Sequence, residues 1–134
     1  MLDIDAIASM LGVEESSPKN SYIAVFVPSR TRDDEAIDHE HWRSAAVRLL
    51  SSLFGGATSV RAFGGWLDVE QGGEVKEEEI SIVVSYISER DWNNNNAVQV
   101  RDFMYEMGRE TKQGAVGLHV LGRYLEIGAN QYEQ

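Results

Sequence analysis

Apolar residues recur along this chain at two spacings, one helical and one alternating, and the order in which the two appear predicts the fold. Leu2, Ile4, Ile7, Met10 and Leu11 fall near helical spacing and Gly12 follows as a terminator, so residues 2–11 read as a short amphipathic helix. Residues 14–20 read as a linker. Tyr22–Val27 is apolar on both alternating faces, which predicts a central strand covered on both sides and closed by Pro28 and Ser29. The strongest helix signal comes next, with Trp42, Ala45, Ala46, Leu49, Leu50 and Leu53 on one stripe. Asp38 is its expected N-cap, Ile37 and Trp42 form a hydrophobic staple, and Gly55-Gly56 ends it.

Residues 57–63 predict a strand, Gly64-Gly65 a bulge or turn before Trp66 and Leu67, and Gln71-Gly72-Gly73 a further turn. The return strand, residues 76–88, places Ile80, Ile82, Val84 and Tyr86 on one face and Ser81, Val83, Ser85 and Ile87 on the other. The first, more apolar face is expected to be core, and Tyr22 and Phe26 with it. Asp91–Asn96 is turn chemistry, with Asn96 as cap of a second helix whose stripe is Ala97, Val100, Phe103, Met104 and Met107 and whose stop is Gly114. Residues 116–121 and 124–127 read as a terminal hairpin, and 128–134 as a loose tail.

This order, β-α-β-β-α-β, is the ferredoxin-like split βαβ plan of the α+β class, with an added N-terminal helix and a C-terminal hairpin strand. One domain over residues 1–134 suffices, with 21–127 as its α+β core. In that plan the connections at 28–38, 64–79 and 109–114 meet at one end of the sheet. A candidate ligand or partner rim follows: Arg30, Arg32, Asp33, Asp34, Arg109 and Lys112. Four cations here would locally reverse the charge of a chain with 12 Lys and Arg against 22 Asp and Glu.

Composition narrows the function by exclusion. A formal charge of −10 makes direct nucleic acid binding unfavourable, because such binding comes from cations displacing counterions on phosphates. The absence of cysteine excludes disulfides, thiolate metal sites and thiol catalysis, and fits a reducing compartment. With no signal-like or membrane-spanning run, the expectation is a cytoplasmic protein with no membrane association.

No catalytic motif stands out, and the sequence calls for no cofactor and no metal. His39 and His41 are two apart on a helix, not at the i, i+4 spacing of zinc helices, and read as solvated first-turn residues. Asp33, Asp34 and Glu70 are the carboxylates that would have to converge for Mg²⁺, and they lack a metal motif. His119 is expected on the uncovered sheet face near Ser81 and Ser85, as a half-buried hydrogen-bonding residue rather than part of a hydrolase.

Phe54-Gly55-Gly56-Ala57-Thr58-Ser59, Gly64-Gly65-Trp66 and Gly108-Arg109-Glu110-Thr111-Lys112-Gln113-Gly114 resemble segments of small bacterial proteins of unknown function, over about residues 21–127. The resemblance implies an α+β fold and no established activity. The leading expectation is therefore a noncatalytic binding or regulatory module, not an enzyme. It would engage a protein partner, or a second copy as a homodimer, through the rim, the open sheet face or the first helix. That helix either docks on a partner or covers the open face of its own sheet. One alternative is a small enzyme or sensor for an anionic metabolite or nucleotide, with Arg30, Arg32, Arg109 and Lys112 as anion contacts and Asp34 or His39 for acid–base chemistry. Another is an acidic inhibitor from a phage or mobile element, acting on a host defence enzyme.

Overall fold

The computed structural model describes residues 3–13 and 19–133, the Gln71 side chain excepted. Leu2 of the first apolar stripe, most of the expected 14–20 linker and Gln134 lie outside the described residues. The chain runs α1 (Ile4–Leu11), β1 (Ser21–Val27), α2 (His39–Phe54), β2 (Thr58–Asp68), β3 (Glu74–Ile87), α3 (Asn94–Glu110), β4 (Ala115–Val120), β5 (Arg123–Gly128) and α4 (Ala129–Tyr132). All five strands join one sheet in the order β2-β3-β1-β4-β5, with every neighbouring pair antiparallel. The fold is α+β, a five-stranded antiparallel sheet with four α-helices among the described residues.

Local chemistry sets the two long helices. The Asp38 carboxylate accepts from the His41 N–H at 3.1 Å and Gly55 closes α2 in the left-handed region at φ 95°. Trp42, Ala46, Leu50 and Phe54, four residues apart, are the buried stripe of α2. In α3 the cap is Asn93, whose side chain accepts from the Asn96 N–H at 2.9 Å, while the Asn96 amide turns back to the Asp91 carbonyl at 2.7 Å. The expected cap was therefore three residues late. Val100, Met104 and Met107 complete the core from α3.

Two sheet expectations are corrected. Gly64-Gly65 makes neither bulge nor turn, since β2 and β3 pair without a slip from Thr58↔Val84 to Asp68↔Glu74. The chain reverses instead through a 3-10 turn at Val69–Gln71 and the left-handed pair Gly72-Gly73. The core face of β3 is also the opposite one. Ser81, Val83, Ser85 and Ile87 are buried with Ile23, Val25 and Val27 under the helices, while Tyr86 is 67% exposed on the other face. Tyr22, paired with Tyr86, is 40% exposed there.

The serines explain the choice. The Ser85 hydroxyl donates to the Gly56 carbonyl after α2 and the Ser81 hydroxyl bonds the His39 ring at the start of α2, so both buried polar groups are satisfied by the helix they face.

The expected loose tail is corrected as well. Residues 129–132 form α4, and Tyr132 is 1% exposed in the core. At the other end, α1 has both caps, Asp3 accepting from the Ala6 N–H and Gly12 in the left-handed region, yet it buries none of its residues. Ile4, Met10 and Leu11 are 59%, 74% and 72% exposed, so α1 does not seal the open face of its own sheet. Deleting residues 1–12 should accordingly change unfolding stability by no more than about 0.5 kcal/mol in a urea titration. A loss of several times that would show a packing role for α1. Among the described residues, no helix is long and apolar enough to cross a membrane.

Candidate functional site: an acidic groove on the open sheet face

Antiparallel pairing puts Trp66, Glu78, Ala115, Tyr124 and Glu126 on the uncovered face. The connections after β1, after β2 and before β4 rise around them. Together they enclose a groove of about 670 Å³, lined by Thr31, Arg32 and Asp33 from the first loop, Trp66, Asp68 and Glu70 from the hairpin, Glu78 from β3, Gln113 and Gly114 before β4, Ala115 at its start, and Tyr124 and Glu126 from β5. That volume is in the range of about 300–1,000 Å³ typical of small-molecule sites.

Hydrogen bonds fix the groove's loops to the sheet. One Glu78 oxygen accepts from the Ser29 and Arg30 N–H groups at 3.2 and 3.1 Å, holding the first loop against β3. His39 secures the same loop from behind, with Nδ1 at 2.7 Å from the Pro28 carbonyl and Nε2 at 2.8 Å from the Ser81 hydroxyl. A proline carbonyl only accepts, so Nδ1 donates to it, and Nε2 pairs with the Ser81 hydroxyl. His39 is thus not the solvated residue expected, whereas His41 is exposed against Trp42. The Gln113 side chain donates to the Arg30 carbonyl at 2.6 Å, joining the first loop to the last. Tyr132 of α4 donates to the Gln113 carbonyl.

Electrostatically the groove is acidic. Five carboxylates, Asp33, Asp68, Glu70, Glu78 and Glu126, line it against one guanidinium, Arg32. Tyr124 lies over Gly117, where a Cβ would stand 2.7 Å from its hydroxyl, and donates to Glu126 at 3.1 Å. Burial, then the neighbouring Glu126 charge, pushes the Tyr124 phenol above its ordinary pKa, so it remains a neutral donor.

Of the six rim residues expected from sequence, Arg32 and Asp33 line the groove. Arg30 turns to Asp34, its Nη1 donating to the Asp34 carbonyl at 3.1 Å and its Nε 3.8 Å from the carboxylate. Arg109 donates to the Tyr132 carbonyl at 3.0 Å, and Lys112 occupies a left-handed position, φ 53°, as the chain leaves α3. The expected cluster of four cations is not assembled, because two of those cations are committed to carbonyls that shape the loops. Asp33 and Glu70 share the groove, but among the described residues no three His, Asp or Glu side chains converge to hold a metal. His119 stacks on Tyr22 at 4.8 Å on the open face, away from Ser81 and Ser85, which lie under the helices. Trp66, Glu78, Tyr124 and Glu126 were missed as site residues, although alternation along the hairpins carries the signal that puts them on one face.

No protein-family model matches the sequence, and no curated protein sequence matches it. Solved structures of the same fold do. A phage SAM lyase in complex with S-methyl-5′-thioadenosine aligns at a TM-score of 0.60 and 16% identity, over 89% of this chain and 97% of that chain. A phage SAM lyase in the apo state aligns at 0.57 and 15%, over 87% and 96%. At such identity the likeness shows the fold alone. It nevertheless corrects the resemblance to small bacterial proteins of unknown function, and with it the expectations of a noncatalytic binding module and of a chain that is not an enzyme: both matching structures are of a lyase, one with a nucleoside bound and one in the apo state.

Proposed function

We propose that this protein is a lyase acting on SAM, S-adenosylmethionine, or a closely related sulfonium nucleoside, and that the acidic groove is its binding site. The observation that carries the reading is the groove's composition, five carboxylates and two aromatic rings around one guanidinium. It suits a ligand with a cationic sulfur and a flat base, and the fold is that of phage SAM lyase over nearly the whole of both chains. Trp66 and Tyr124 offer faces for the adenine and for the sulfonium, which an aromatic ring attracts as it does other cations. We also infer that β2-β3-β1-β4 with α2 and α3 is the ferredoxin-like plan, with β5 added at the edge; the strand order supports this.

Of the functions expected from sequence, the small enzyme at the rim between the first and last loops comes nearest, with the sign of the ligand's charge reversed. The chemistry follows from that charge. When the bond between sulfur and the amino-acid chain breaks, its electron pair goes to sulfur and the sulfonium becomes a neutral thioether. The carbon that loses sulfur gains either a double bond, with loss of a neighbouring proton, or a bond to a nucleophile within the same chain. The carboxylates attract the charged substrate and lose that attraction once the neutral thioether forms, which favours product release.

The test is incubation of the purified protein with S-adenosylmethionine and detection of methylthioadenosine by liquid chromatography and mass spectrometry. Release well above the protein-free rate is expected. Trp66→Ala should weaken substrate binding about tenfold through lost stacking. Methylthioadenosine formation no faster than the blank, together with no thermal shift on adding the thioether, would sink the proposal.

A further inference from the structure

Among the described residues, Arg32 is the one cationic side chain lining a groove that otherwise carries five carboxylates. Its Nη2 donates to Glu133 at 2.7 Å, directly after α4, and the two side chains are 46% and 40% exposed. The loop beneath it is fixed, with the Arg32 N–H on the Lys112 carbonyl at 3.1 Å. A guanidinium has five N–H donors in a planar fork, and Glu133 engages one of its nitrogens.

We propose that Arg32 reads the carboxylate end of the ligand, and that Glu133 is an internal carboxylate that holds the guanidinium in place until the ligand's own carboxylate displaces it. This rests on the sulfonium reading above. A ligand that is cationic at sulfur and anionic at its amino-acid carboxylate is repelled at its anionic end by most of the groove. Arg32 therefore sets the orientation, carboxylate toward α4 and sulfonium toward the acidic centre. Solvent exposure keeps the Arg32–Glu133 pair weak, so exchanging one carboxylate for another is easy.

The experiment is calorimetric titration of wild type, Arg32→Gln and Glu133→Gln with S-adenosylmethionine and with its decarboxylated analogue, alongside the methylthioadenosine release assay. Wild type should prefer the carboxylate-bearing ligand by about tenfold, the effect of one charge-assisted pair. Arg32→Gln should abolish that preference for the carboxylate-bearing ligand. Glu133→Gln should tighten binding of S-adenosylmethionine a few-fold and should not tighten that of the analogue. Equal wild-type affinities with product release intact overturn the carboxylate assignment alone, as does a ratio that survives Arg32→Gln. Unchanged or weaker S-adenosylmethionine binding in Glu133→Gln overturns the displacement by Glu133. Failure of both ligands to bind, with no product released, overturns this inference and the sulfonium reading together.

Discussion

Tyr132→Ala should lower the stability of this protein by about 3–5 kcal/mol, the range for deleting a buried aromatic side chain. The residue is 1% exposed, and its ring lies so close to α3 that a Cβ on Gly108 would stand 2.7 Å from two ring carbons. Its hydroxyl donates to the Gln113 carbonyl, and its own carbonyl accepts from Arg109 at 3.0 Å. Burial and the adjacent Glu133 charge raise the Tyr132 pKa, keeping the phenol a neutral donor. Two companions separate the contributions. Tyr132→Phe keeps the ring and should cost about 1 kcal/mol for the lost hydrogen bond. Gly108→Ala should cost about 1–3 kcal/mol through overpacking, although alanine in an open helix position is favourable over glycine. Urea unfolding of the three variants checks the order. An alanine variant within about 1 kcal/mol of wild type would mean that α4 is dispensable after all.

That prediction marks a limit of the sequence. The stripe of α2 and its ends were legible because Trp42, Leu50 and the Asp38 and Gly55 caps are local signals that tertiary contacts did not override. The tail was not. A single tyrosine in a short polar segment has no periodicity, and its burial depends on a glycine twenty-four positions earlier in another element. The face of β3 was misjudged for a related reason. Ile80, Ile82 and Val84 form the more apolar set, but burial went to the set whose serines find partners in α2, and hydrogen bonding between elements is not encoded in alternation.

The groove was legible as a place and illegible as a charge. Strand order brings the three connections to one end of the sheet, and Arg32, Asp33, Glu70 and Gln113 all line the groove there. Its sign depends on where long side chains point. Arg30 and Arg109 turn to backbone carbonyls, leaving the carboxylates of β3 and β5 to dominate. A list of charges by loop cannot anticipate that, because arginine serves equally as a structural donor and as a ligand contact.

Glu78 joins these two roles, and its substitution should have the largest effect on activity. Its carboxylate lines the groove while one oxygen accepts from the Ser29 and Arg30 N–H groups. Glu78→Gln keeps an oxygen that can accept those bonds and removes only the charge, so the first loop should stay in place. Under the proposed lyase activity, the KM for S-adenosylmethionine should then rise about tenfold, as expected for losing one carboxylate near a cation, with little change in kcat. Glu78→Ala removes both charge and acceptor. The two N–H groups lose their partner, and the loop carrying Arg32 and Asp33 loses its tie to β3, leaving it to His39, Gln113, the backbone bond to Lys112 and the exposed Arg32–Glu133 pair. Displacing that loop by about 1 Å is enough to cut kcat/KM a further hundredfold, since orientation enters the rate so steeply. Steady-state kinetics of methylthioadenosine release distinguishes the two variants, and Glu78→Ala should also lose about 1–3 kcal/mol in urea unfolding. If glutamine and alanine are equally impaired, the charge alone matters and the carboxylate does not position the loop. If neither is impaired, the reaction takes place elsewhere on the molecule.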